Sequence, residues 1–187
     1  VEDVVAMGFV PVMHAIGDEA VGKALQSIKG IDGSTRIEHA QCIADKDVPR
    51  LRGKMFAVQP LHQPGDAEIA LKALGSKRAT QLHNWRRMLD AGARLSFGSD
   101  WPIAEAKPLA AMQVAIAQGL SVHEAILSST REAADSLGVP FSGSLQIGSY
   151  GDVVVLDKNP FDCDWINTPP SVTMTILDGN IVYKKEE

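Results

Sequence analysis

Along the first two thirds of the chain, short apolar runs alternate with longer stretches whose apolar residues recur every three or four positions. The runs predict β-strands and the stretches predict helices. Gly8–His14 reads as a strand with Val10, Val12 and His14 on one face, and a helix follows to about Lys29, carrying Ala20, Val21, Ala24, Leu25 and Ile28 at helical spacing. Thr35–His39 is the second strand, and Asp45–Arg52 a short helix. Met55–Gln59 is the third strand, stopped by Pro60. Gly75–Ala91 reads as one helix with Leu82, Trp85, Met88 and Leu89 on a stripe; Arg94–Ser99 is the fourth strand. Pro108–Gln118 and Val122–Leu137 are both helical, the latter opened by a capping box of Ser121 and Glu124 and closed at Gly138.

Beyond Gly138 the pattern changes. Residues 142–150 are rich in Gly and Ser, and three strands follow: Asp152–Asp157, Val172–Leu177, and Ile181–Tyr183 behind an Asp178-Gly179-Asn180 turn. The pattern therefore predicts an α/β domain over 1–138 and a small β unit over 139–187. Four βα units point to a parallel sheet, half of what a (β/α)8 barrel contains. A doubly wound sheet shows the same alternation, but no glycine-rich phosphate loop follows any strand. A half-barrel leaves two open edges and an apolar face, so it should associate. The chain opens at Val1 inside a helix-like segment closed by Gly8, which suggests a preceding portion.

Composition narrows the function classes. Of 187 residues, 45% are hydrophobic and 22% charged, which is ordinary for a globular protein. A net charge of −5 disfavours nucleic acid as the main partner. No apolar run reaches the ~20 residues that span a bilayer, and Glu2 and Asp3 stand where a signal peptide would be positive. Cys42 and Cys163 are far apart and outside any CxxC pattern, as expected of free thiols in the cytoplasm.

Chemistry concentrates at strand ends. His14 and His39 close the first two strands, 25 residues apart, about one βα repeat. Asp100 follows the fourth strand, after the small residues Ser96, Gly98 and Ser99. Catalytic groups of β/α barrels occupy such positions. Two imidazoles can ligate zinc or a related metal, and a carboxylate beside them can ligate it and accept a proton from metal-activated water. Each also has a plainer reading: a strand-capping histidine, or an N-cap aspartate. His62, past the third strand, either orients substrate or is a loop residue. Trp101 is a pocket wall or packing. His83, among Arg78, Arg86 and Arg87, and His123 are expected to face solvent, as are Asp157, Asp162 and Asp164.

Five segments, in order, resemble one family. They are residues 14–18 (HAIGD), 36–41 (RIEHAQ), 58–62 (VQPLH), 95–102 (LSFGSDWP) and 143–157 (GSLQIGSYGDVVVLD). The chain resembles the C-terminal part of the metal-dependent amidohydrolases, in the subgroup with the YtcJ-like enzymes and N-substituted formamide deformylase. The resemblance implies a (β/α)8 barrel, of which residues 1–138 hold strands five to eight, and a β-sandwich of which 139–187 are the C-terminal share. It makes His14 and His39 metal ligands and Asp100 both ligand and general base. Gln59, His62 and Trp101 then contact substrate. It implies a divalent metal, zinc by default, as one or two ions, and a small amide or cyclic amide whose carbon–nitrogen bond is hydrolysed.

There are departures. No His-x-His occurs, residue 19 is Glu where the subgroup usually has Arg, and Glu105–Ser121 is short. The chain alone is thus expected to hold part of a metal site, to lack activity, and to pair with the missing barrel half or itself. The rival reading is a truncated, non-enzymatic paralogue acting as an assembly partner. A Ser-His-Asp hydrolase is disfavoured because no GxSxG elbow is present.

Overall fold

The computed structural model describes residues 1–31 and 35–186. Four strands, β1 (Val12–Ala15), β2 (Arg36–His39), β3 (Met55–Val58) and β4 (Arg94–Phe97), form one sheet in the order β1-β2-β3-β4. All three pairings are parallel. Parallel neighbours need crossovers, and helices supply them. α2 (Asp18–Ser27) follows β1, a 3-10 helix (Asp45–Arg50) follows β2, and α3 (Gln63–Ala79) with α4 (Trp85–Asp90) follow β3. After β4 come α5 (Pro108–Ala117), α6 (Val122–Ser129) and α7 (Arg131–Leu137). This is half of a (β/α)8 barrel. A three-stranded antiparallel sheet, β5 (Val153–Leu156), β6 (Val172–Leu177) and β7 (Asn180–Lys184), follows it.

Register explains the core. Met13, Ile37, Phe56 and Leu95 pair across the sheet in one row, and the last three are at most 1% exposed. Val21, Leu25 and Ile28 from the α2 side and Trp85 and Met88 from α4 pack against that row. β3 is buried at every position, as a central parallel strand should be. A second cluster seats Trp165 on Met112 of α5 and Ala125 of α6, so the stretch between β5 and β6 leans back on the helices.

The helices differ from the pattern in two places. The helix expected over Gly75–Ala91 is instead split. α3 begins earlier, with Pro64 and Asp66 in its first turn, breaks at Gly75 (φ 74°, ψ 165°) and ends at Ala79. Asn84 then caps α4 through its side chain, which accepts the Arg87 N–H at 3.1 Å. Ile69 and Leu71 of α3 are exposed, so no apolar stripe marked residues 63–74 as helical. The helix expected over Val122–Leu137 breaks at Thr130 (φ −126°, ψ −88°), whose hydroxyl bonds the Ile126 carbonyl at 2.7 Å.

The strand expected over Gly8–His14 covers only Val12–Ala15, while several other local signals hold. Ser121 and Glu124 form the reciprocal capping box, Gly138 ends α7 in a left-handed conformation, and Asp178-Gly179 turn β6 into β7 at positive φ. α1 (Glu2–Ala6) precedes β1, and no helix among the described residues is long and apolar enough to cross a membrane.

Candidate metal centre

β2 delivers the first ligand group through an unusual backbone. His39 has φ 71° and Ala40 φ 46°, and the Ala40 N–H bonds the Glu38 carbonyl at 3.0 Å across His39. A non-glycine residue there stores about 1–3 kcal/mol of strain, which surrounding structure must over-determine. Ala40 N–H also bonds the Ala15 carbonyl of β1 at 2.9 Å, which pins the turn. The His39 ring is therefore held while only 8% exposed.

Gln59 fixes the tautomer of that ring. Its Nε2 donates to the Ala57 carbonyl at 3.1 Å, which leaves Oε1 to accept from His39 Nδ1 at 2.9 Å. With Nδ1 carrying the proton, the Nε2 lone pair of His39 is free for a cation. The sequence reading placed Gln59 on substrate. It is 4% exposed, and both ends of its amide are bonded, one to His39 and one to the Ala57 carbonyl.

A 3-10 turn, Pro60–His62, carries the next group. The His62 ring stacks on that of His39 at 6.3 Å between centroids. Its Nε2 is buried with no hydrogen-bonding partner among the described residues, a costly state unless something else satisfies it. Asp100 stands past β4 with φ 56°. A Cβ built on Gly98 would meet nothing within 4 Å, so the strand end beside Asp100 is open, as its small residues suggested.

One donor atom from each of His39, His62 and Asp100 lies within 4.8 Å of the others. His14 is beside them: its ring meets that of His39 edge-on at 4.5 Å, yet it is outside this trio. The structure thus brings His14, His39, His62 and Asp100 to one mouth, with His62 rather than His14 in the trio. Trp101 is 74% exposed at the rim. Two imidazoles, one of them with an orphaned ring nitrogen, and one carboxylate suit a divalent cation.

The family match fits that geometry. The model of the Amidohydrolase family matches residues 1–183. The chain belongs to this family. It is 31% identical to Protein LONG AFTER FAR-RED 3 of Arabidopsis thaliana, over 91% of this chain and 33% of that protein. It is 28% identical to the putative amidohydrolase YtcJ of Bacillus subtilis, over 92% of this chain and 37% of that one. An uncharacterized metal-dependent hydrolase from Pyrococcus furiosus superposes with a TM-score of 0.77 at 27% identity, over 86% of this chain and 36% of that chain. The chain spans about a third of the length of the curated relatives it matches.

Two further titratable groups are buried. His83, expected to face solvent, is 4% exposed. It sits at φ 51° in the turn between α3 and α4, not on a helix face. Its Nε2 bonds Asp66 at 2.9 Å, and its ring lies 5.5 Å from Trp85. Burial holds the imidazole below its ordinary range; Asp66 pulls it up, and nearby His62 adds to the lowering. Cys42 is buried and its thiol pushed up by that burial, with Asp18 adding to it. His123, Asp157, Asp162 and Asp164 are exposed as expected. Asp157 and Asp164 cap turns; the Ser171 N–H lowers the first carboxyl, and the Asn167 side chain and backbone lower the second.

Proposed function

We propose that the intact protein hydrolyses a carbon–nitrogen bond of a small amide or cyclic amide, using a divalent cation held by His39, His62 and Asp100 with His14 alongside. The observation that carries this reading is the cluster of one donor atom from each of three residues within 4.8 Å, beside a buried His62 Nε2 with no hydrogen-bonding partner among the described residues. Membership of the Amidohydrolase family supports the reaction class. A cation bound there would supply acidity, bringing the pKa of water down towards neutrality.

The chain's residues do the rest. Gln59 keeps the His39 Nε2 lone pair free. Asp100, which is exposed at the strand end, accepts the proton of the attacking water and returns it to the leaving nitrogen. A C–O bond forms, the C–N bond breaks, and acid and amine result. β1 and β4 are the edges of the four-stranded sheet, so we propose that further strands close it, that residues 1–138 and 139–187 are separate units, and that the 187-residue chain alone is inactive.

The test is to measure metal content and amide hydrolysis in the intact protein and in Asp100→Asn. The variant should lose about 10²–10⁴-fold in kcat. Wild-type activity in the variant would overturn the role of Asp100, and an intact protein that neither holds metal nor hydrolyses amides would favour a non-enzymatic assembly partner.

A further inference from the structure

A cavity of about 210 Å³ opens beside the metal trio, between the end of β4, the Pro60–His62 turn and α5. Two of its lining residues, Leu61 and Ser99, are the chain neighbours of His62 and Asp100. Its walls are apolar: Leu61, Phe97, Pro108 and Ala111. One polar group is left over. Ser129 Oγ is buried and has no hydrogen-bonding partner among the described residues, and Ser129 lines this cavity.

Charge and size select the occupant. Among the described residues, the only charged ones lining the cavity, Glu105 and Lys107, pair with one another, and their side chains are 70% and 65% exposed. Their charges are therefore spent on each other in solvent. A carboxylate or ammonium in the cavity would lose its hydration without gaining a partner, which is prohibitive. An apolar cavity of about 150 Å³ holds benzene. A volume of about 210 Å³ holds a ring with a polar atom attached.

We infer that this cavity is the subsite for a neutral, ring-sized apolar substituent of the substrate, and that Ser129 Oγ bonds a polar atom on that substituent. The inference rests on the proposed hydrolysis only for what happens next to the subsite. The cavity's binding is separable from turnover.

The experiment titrates the intact protein with benzyl alcohol, toluene and benzoate, following the Leu61 methyl resonances by NMR. Benzyl alcohol should bind saturably and benzoate should not. Ala111→Leu, which fills the cavity, should weaken benzyl alcohol by about tenfold or more. Ser129→Ala, which leaves the packing intact, should weaken benzyl alcohol about three- to tenfold while sparing toluene. In parallel, Ala111→Leu should lower the kcat/KM ratio of N-benzylacetamide to N-methylacetamide. Binding of benzoate as tight as that of benzyl alcohol, or binding indifferent to both substitutions, overturns the subsite. Binding as expected in a protein that hydrolyses neither amide upholds the subsite and defeats the proposed hydrolysis.

Discussion

The two ends of the parallel sheet are built on opposite principles. At the end where the strands begin, Arg94 reaches Glu132 of α7 at 2.7 Å and also pairs with Asp135. Nearby Arg36 pairs with Glu38 and donates to the Ser136 carbonyl at 3.1 Å. Each charge there has an opposite charge or a carbonyl. At the other end, His39 and Asp100 hold left-handed backbones, and His62 Nε2 has no partner among the described residues. A fold can satisfy its polar groups, as it does where the strands start. Leaving them unsatisfied on strained backbone where the strands finish costs stability, and such cost marks a site.

That contrast can be broken most sharply at Gln59. If its amide orients His39 for a cation, Gln59→Leu should weaken metal binding by about 10–100-fold, read by competition with a chromogenic chelator. An unchanged affinity would mean that the mouth does not depend on this bond.

His83 sharpens the contrast through pH. Its folded pKa is depressed by burial, so the unfolded chain takes up a proton first as pH falls through about 6.5. The stabilisation is complete above that pH and is lost below it, at up to about 1.4 kcal/mol per pH unit. Urea unfolding from pH 8 to 5 should show this decline, and His83→Gln should flatten it. A decline that persists unaltered in the variant belongs to other groups.

The smallest effect is expected at the saturated end. Arg94 is partly exposed, so Arg94→Met should cost about 1 kcal/mol or less, a loss that shrinks in high salt and leaves metal affinity alone. A drop in metal affinity would show that the two ends communicate and are not separately built.

Much of the scaffold was legible because its signals are local. The four parallel strands, the capping box at Ser121, the stop at Gly138 and the Asp178-Gly179 hairpin turn all lie in residues whose own chemistry specifies them. The helices were less legible. Gly75 and Thr130 interrupt runs that keep helical composition, and residues 63–74 are helical without an apolar stripe. For the site, strand-end position pointed to His14, His39 and Asp100. It did not foresee that Gln59 would face His39, or that His83 would turn inward to Asp66.

The sequence by itself determined which residue types stand at the strand ends, since strand periodicity and small flanking residues are properties of neighbouring positions. Only the tertiary structure decided which of them meet. Register and the left-handed turn at His39 bring its ring between those of His14 and His62, and the loop after β4 brings Asp100 to the same mouth. These arrangements depend on packing between segments 20 to 60 residues apart, and no local pattern encodes a contact at that separation.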